Sequence, residues 1–287
     1  MKEYICLDVG GTEIKTACVD ESGKLTQTLR HFPARAGESA ERLLAHFAGI
    51  IRETNPEPEQ SAGIRLAFPG PFDYERGICL MQGLAKYDAL YGLDLRRELG
   101  SRLGVEPERI RFANDASAFA LGEMGFGPAR GYERAMFVCI GTGCGSGFGL
   151  NGLLAPGGSP GVPDSGFIYD APFLDARIDD YLSRRGLMAL TRQRLGEALD
   201  GKALAQRVLE GDSKARDCFR EFGVRLRDAL IPFLDGFRPE IISLGGQIMK
   251  SGELFLNPLE DECAGRGIRT AVTESTSLRT MQGLTRI

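Results

Sequence analysis

Ile110-Arg111-Phe112-Ala113-Asn114-Asp115-Ala116, and then Ala135 to Ile140 running into Gly141-Thr142-Gly143-Cys144-Gly145-Ser146-Gly147, decide how this chain is read. The first apolar run predicts a short buried strand that ends at Asn114-Asp115. The small residues from Ala116 to Met124 predict a helix after it, and Ala135–Ile140 predicts a second strand that opens into a glycine-rich turn. A carboxylate at one strand end and a loop of unobstructed backbone N–H groups at the next are two parts that phosphoryl transfer requires: a base for an acceptor hydroxyl and a cradle for phosphate oxygens.

Outward from that centre the same junction recurs. Glu3–Val9 predicts a strand entering Asp8-Val9-Gly10-Gly11-Thr12, and Glu240–Leu244 a strand entering Gly245-Gly246. Ile14–Val19 and Leu25–Phe32 predict two further strands, so the N-terminal segment reads as a β-meander with a glycine turn at its first corner. Neither GxGxxG nor GxxxxGK[ST] follows that strand, which excludes a dinucleotide fingerprint or a Walker loop there. Helical spacing marks 38–54 and, most clearly, Ser213 to Phe237 with Pro239 as a stop. Ala62–Phe68 predicts a strand, 93–103 a short helix, and 151–170 an irregular Gly/Pro-rich loop. Short helices are expected over 171–211, a helix near 255–263 and a strand over 268–273. The order is that of an α/β protein with mixed sheets.

Composition narrows the chemistry. The 287 residues are 43% hydrophobic and 26% charged, the balance of an ordinary globular protein. A net charge of −4 gives no electrostatic reason to expect nucleic acid or an acidic membrane as partner. No apolar stretch approaches the roughly 20 residues of a membrane span, and no signal peptide is evident, so a cytoplasmic protein is expected. Seven scattered cysteines read as reduced thiols. The two histidines, His31 and His46, lie outside the glycine turns, so a Ser-His-Asp triad or a histidine-rich zinc site is not expected and proton transfer falls to carboxylates.

Each candidate residue has a plain alternative. Asp8 is placed to hold a hydrated Mg²⁺ beside phosphates or to stabilise a turn. Asp115 is the candidate general base or the N-cap of the following helix. Asn114 contacts a substrate hydroxyl or makes a turn, and Lys15 reaches a phosphate or is a solvated strand residue. The glycine pairs cradle phosphate or form tight turns at positive φ.

Asp8-Val9-Gly10-Gly11-Thr12-Glu13-Ile14-Lys15, Phe68-Pro69-Gly70-Pro71 with Asp73, Asn114-Asp115-Ala116, Gly141-Thr142-Gly143-Cys144-Gly145-Ser146-Gly147 with Asn151-Gly152, and Leu244-Gly245-Gly246 together resemble the motifs of the ROK family of sugar kinases and repressors, in order and spacing. The family belongs to the actin/hexokinase/Hsp70 superfamily. The resemblance implies two ribonuclease-H-like α/β domains, 1–114 and 115–287, each with a mixed sheet and with the active site in the cleft between them. It implies ATP and Mg²⁺ as cofactors, a sugar as substrate and a homodimer. Asp115 would be the catalytic base. Asp8, Gly10, Gly11, Thr12, Lys15, Gly141, Thr142, Gly143, Gly145, Gly245 and Gly246 would bind the nucleotide and its metal, with Asp8 reaching Mg²⁺ through water. Gly70, Gln82, Asn114, Asp115, Asp164 and Asp179 would bind the sugar.

The departures from the pattern are concentrated in one region. Where such kinases carry Gly-Glu-x-Gly-His, this chain has Pro163-Asp164-Ser165-Gly166-Phe167. Where they carry a cysteine cluster ending in Glu, it has Arg177-Ile178-Asp179-Asp180-Tyr181-Leu182-Ser183, with no cysteine between 145 and 217, so no zinc site is expected. Asp164 reads as a sugar ligand or a loop residue, and Asp179 as a sugar ligand or a helix-capping acid. Phe167 replaces the histidine that contacts sugar, and a phenyl ring offers no hydrogen bond to a hydroxyl. Gln82, Lys86 and Tyr87 occupy the usual Asn-rich sugar segment. A catalytically silent sugar- or nucleotide-binding protein is the alternative expectation. A repressor is disfavoured, because the first phosphate motif begins at Asp8 with no helix-turn-helix ahead of it.

Overall fold

The computed structural model describes residues 2–287, which fold as two compact units: the chain up to Phe126 together with Ser277–Ile287, and Gly127–Thr276. The first contains β1 (Glu3–Val9), β2 (Glu13–Asp20), β3 (Arg30–Pro33), α1 (Ala40–Thr54), β4 (Gly63–Phe68), a small hairpin of β5 (Phe72–Asp73) and β6 (Ile78–Cys79), α2 (Leu95–Leu103), β7 (Ile110–Asn114) and α3 (Asp115–Phe126). The second contains β8 (Arg134–Ile140), β9 (Cys144–Leu150), β10 (Leu153–Leu154), a hairpin of β11 (Pro172–Phe173) and β12 (Ala176–Arg177), α4 (Ile178–Tyr181), α5 (Arg184–Leu195), α6 (Gly201–Leu209), α7 (Ser213–Phe237), β13 (Ile241–Gly245), α8 (Asn257–Gly265) and β14 (Arg269–Val272). Helix α9 (Thr276–Leu284) then packs into the first unit. The units thus part after α3, beyond the expected division at 114/115, and the chain returns to the first unit at its end.

Each unit is built on a mixed five-stranded sheet of the same topology. The orders are β3-β2-β1-β4-β7 and β10-β9-β8-β13-β14. In each an antiparallel three-strand meander joins two parallel strands. In the first unit, alternation along β1 decides the layers. Ile5, Leu7 and Val9 pack with Leu43, Phe47, Ile51 and Leu99 of α1 and α2, while Cys6 packs on the opposite face with Ala17, Ala67, Ala118, Met281 and Leu284. That second face is lined with small side chains, so α3 and α9 approach until backbones touch. A Cβ on Gly122 would stand 1.9 Å from the Arg279 carbonyl oxygen, and one on Gly283 would stand 1.8 Å from that of Ala118.

The second unit has one core in which α7 contributes Phe219, Phe222, Leu226, Leu230, Leu234 and Phe237. Its N-terminus is capped by Asp212, which accepts from Lys214 N and Ala215 N. Three sequence expectations change. The third strand is only Arg30–Pro33, with Leu25 forming a single bridge to Val19; Thr26, Gln27 and Thr28 between them are polar and exposed. The glycine-rich turn is only Gly141–Gly143, because Cys144–Leu150 pairs along its whole length with β8. Helix α9 has no counterpart in the sequence expectation.

Candidate active site

In the first unit the parallel strands β1, β4 and β7 end at a common sheet edge, where Asp8 pairs with Ala67 and Phe68 with Asn114. Ligands of open α/β sheets gather at such strand ends. Asp8 also faces Lys15 across the β1–β2 hairpin. The intervening turn is closed by Gly10 N donating to Glu13 O (3.0 Å), and a Cβ on Gly10 would sit 2.8 Å from that same oxygen. Gly11 and Thr12 are exposed, with Thr12 O fixed by Ala34 N (2.9 Å).

Burial pushes the Asp8 carboxyl up to about 6; the Ser277 hydroxyl and the Lys15 ammonium pull it down, and the Asp115 charge adds to the rise. Lys15 Nζ donates to Ser277 Oγ at 2.8 Å and lies 3.8 Å from Glu13. Ser277, on α9, is therefore a member of this cluster that sequence reasoning missed. It is separated from Lys15 by most of the chain, and no local pattern announces it.

The Asn114-Asp115 pair divides its work at the start of α3. Asn114 Oδ1 accepts from Ala116 N (2.9 Å) and Ser117 N (3.1 Å), so Asn114 is the cap. Its amide donates to Tyr74 Oη (3.3 Å), whose hydroxyl donates to Phe68 O (3.0 Å). Tyr74, a second missed residue, also stands against Gly70, 3.3 Å from where a Cβ would be.

Asp115 Oδ1 shares the Ala116 N–H (2.9 Å), and its side chain is solvent-accessible but crowded by protein atoms. That crowding raises its pKa, against the pull of the Ala116 N–H and the Lys86 charge. It is a carboxylate made more basic than usual at the N-terminus of a helix. Gln82 is exposed and makes no hydrogen bond with any described residue.

In the second unit, Gly141–Gly143 links β8 to β9 at the edge where β13 also ends, Gly245 pairing with Cys139. The turn is held by Gly141 N donating to Gly143 O (2.9 Å) and Arg184 N donating to Gly141 O (2.8 Å), while Thr142 is exposed. Asp179 braces it. Asp179 Oδ1 accepts from Cys144 N at 2.7 Å, and a Cβ on Gly143 would stand 2.9 Å from that oxygen. Asp179 Oδ2 accepts from Arg185 at 2.8 Å. Both carboxylate oxygens expected to face a sugar thus have protein partners.

Gly145 lies within β9, paired with Cys139, and not in the turn. Gly246, at φ +99°, must be glycine because a Cβ there would stand 2.2 Å from Ile140 O; its N–H donates to Thr276 Oγ1 (2.8 Å). Asp164 is exposed in the irregular loop, beside Gly157 and Gly158. Phe167 is half-buried, its ring centroid 6.4 Å from that of Tyr169.

Comparison with known proteins gives the family. The ROK family model matches residues 4–280. The chain belongs to the ROK family. This ROK protein is 26% identical to the glucokinase of Thermotoga maritima over 281 residues, covering 91% of this chain and 86% of that one. It is 26% identical over 266 residues to the N-acetyl-D-glucosamine kinase of Mannheimia succiniciproducens, covering 86% and 85%. The solved ROK family glucokinase of Streptomyces griseus, in complex with glucose and AMPPNP, shares the fold. Its TM-score is 0.79 at 20% identity, covering 99% of this chain and 98% of that one. The two mixed sheets are therefore those of the actin-like ATPase fold. No helix of the described residues is long and apolar enough to cross a membrane.

Proposed function

We propose that this ROK protein is a carbohydrate kinase that transfers the terminal phosphoryl group of Mg-ATP to a sugar hydroxyl. The observation that carries the reading is the division of labour at the start of α3. Asn114 takes the Ser117 N–H and shares that of Ala116 with Asp115, and Asp115 stands in the same unit as the Asp8–Lys15 cluster with a raised pKa.

The residues fit the cofactor. Asp8 offers a hard oxygen whose ionisation is costly without a cation, which suits a hydrated Mg²⁺. The Gly10–Gly11–Thr12 turn leaves exposed backbone beside it. ATP supplies the phosphoryl group, and Mg²⁺ neutralises its charge.

Asp115 accepts the proton of the acceptor hydroxyl as its oxygen forms the new bond to phosphorus, and ADP departs with the electrons of the broken bond. The raised pKa favours that transfer. Asn114, steadied by Tyr74, orients the acceptor with its remaining amide proton. Gly141–Gly143, braced by Asp179, is a phosphate-binding turn of the second unit. The pair of half-buried Phe167 and exposed Tyr169 suits a sugar that is deoxygenated or carries an apolar substituent on that side.

The test is acceptor-dependent ADP release. Replacing the base, Asp115→Asn, is expected to lower kcat by about 10²- to 10⁴-fold while nucleotide still binds. Undiminished turnover in the variant would remove Asp115 from the chemistry. The alternative, a silent sugar- or nucleotide-binding protein, rests on the altered segment around Phe167 and Asp179; the carboxylates and lysines of the first unit favour the catalyst.

A further inference from the structure

Lys86 is held between two parts of the candidate site by an anchored segment. Tyr87 is fully buried, its ring 6.0 Å from Phe47 and 5.3 Å from Phe68. Its N–H donates to Ala36 O (2.7 Å), and its hydroxyl donates to Gly10 O (2.7 Å) in the first phosphate turn. The carboxylate of Asp88 accepts from Leu84 N (3.1 Å) and Ala85 N (3.2 Å). Ala85 and Tyr87 both adopt left-handed backbone, with φ of 55° and 57°. Such a conformation at two non-glycine residues persists only where surroundings enforce it.

The consequence is the placement of the residue between them. The Lys86 stem lies 3.7 Å from where a Cβ on Gly11 would stand, and its charge acts on Asp115. Lys86 is half-buried and makes no hydrogen bond or ion pair with any described residue.

We propose that Lys86 is the cation that contacts the terminal phosphoryl group of the nucleotide as it passes to the acceptor. This rests on the kinase reading. An ammonium that makes no hydrogen bond or ion pair with any described residue, with a phosphate turn on one side and a general base on the other, stands where negative charge must collect. Ionised Asp115 and an anionic phosphoryl group repel one another, and a point charge on a flexible stem screens both. Lys15, by contrast, is already engaged by Ser277. Lys86 therefore adds a second cation, from the segment that in related kinases carries asparagines for the sugar.

The test compares Mg²⁺-dependent binding of AMPPNP and of ADP, by calorimetry, to wild type, Lys86→Met and Lys86→Arg, with steady-state kinetics alongside. In Lys86→Met, AMPPNP should weaken by about tenfold or more, the scale of a lost charged hydrogen bond, with ADP changed by less than about twofold. Kcat should fall while the acceptor KM holds, and Lys86→Arg should recover most of the loss. Equal weakening of AMPPNP and ADP would overturn the assignment, as would no change in either. A rise in acceptor KM alone would do the same, placing Lys86 on an anionic group of the acceptor. Wild type that binds neither nucleotide would bring down the kinase reading itself, a result separable from all of these.

Discussion

Asp179→Ala separates two roles for one carboxylate: ligand of the sugar, or brace of the second phosphate loop. The Asp179 side chain is 21% exposed, accepting from Cys144 N at 2.7 Å and from Arg185 at 2.8 Å, whose own side chain is 63% exposed. The exposed Arg185 pair contributes at most about 1 kcal/mol. The bond from the backbone is worth more. Removing an ionised acceptor from a backbone N–H costs about 1.5–3 kcal/mol, and Cys144 is buried at the head of β9. If the loop binds phosphate, that cost appears as a weakening of AMPPNP by about 10- to 150-fold.

Asp179→Asn retains an oxygen for Cys144 N and should lose less than about tenfold. The assay is titration with AMPPNP, paired with the acceptor KM. The bracing account fails if Asp179→Ala holds AMPPNP within twofold of wild type while the acceptor KM climbs by the predicted factor. That pattern would return the carboxylate to the sugar.

Three further outcomes follow from the first unit. Gly283→Val places a Cβ 1.8 Å from a backbone oxygen that no rotamer can move, so the loss of stability should reach or exceed the about 1–3 kcal/mol of core overpacking; thermal unfolding unchanged within a degree or so would show that α3 and α9 do not touch there. Asp115 has a folded pKa above its unfolded value, so its contribution to stability is present below that unfolded value and is lost as pH rises through the folded one. Asp115→Asn should therefore melt higher than wild type at neutral pH, with the gap closing toward about pH 4. The acid limb of wild-type activity should also sit above the ordinary carboxylate range, and a gap independent of pH would contradict this. Ser277→Ala frees the Lys15 ammonium and should raise the KM for ATP by up to about tenfold with acceptor KM unchanged, whereas Ser277→Thr should restore it; an acceptor-only effect would detach Ser277 from the phosphate cluster.

Strands that end in glycine turns were legible because two independent signals coincide there, an apolar run and a residue without a side chain. Helix α7 was legible because its apolar spacing persists from Ser213 to Phe237, the span observed. Helix α9 was not, because its buried face mixes Ser277, Thr280 and the closely packed Gly283 with only two large apolar residues, Met281 and Leu284. Glycine itself was ambiguous: Gly141 and Gly143 turn the chain, whereas Gly145 and Gly147 lie in a paired strand.

The roles of Asn114 and Asp115 could not be assigned from their order, since either can cap a helix and both accept from Ala116 N; the Ser117 N–H, which goes to Asn114 alone, tells them apart. Tyr74, Ser277 and the placement of Lys86 depend on contacts between distant segments, which spacing does not record. Phe167 was visible as a departure, and it remains the clearest pointer to an acceptor other than an unmodified hexose.

The central claim is that this chain makes sugar phosphates. The most direct measurement is phosphorus NMR of mixtures of the protein with Mg-ATP and a panel of hexoses, amino sugars, N-acyl sugars and deoxy sugars. The account predicts a new phosphomonoester resonance with at least one acceptor, growing as ATP is consumed and absent with Asp115→Asn. ATP that binds and persists beside every acceptor, with no phosphomonoester formed, would contradict it.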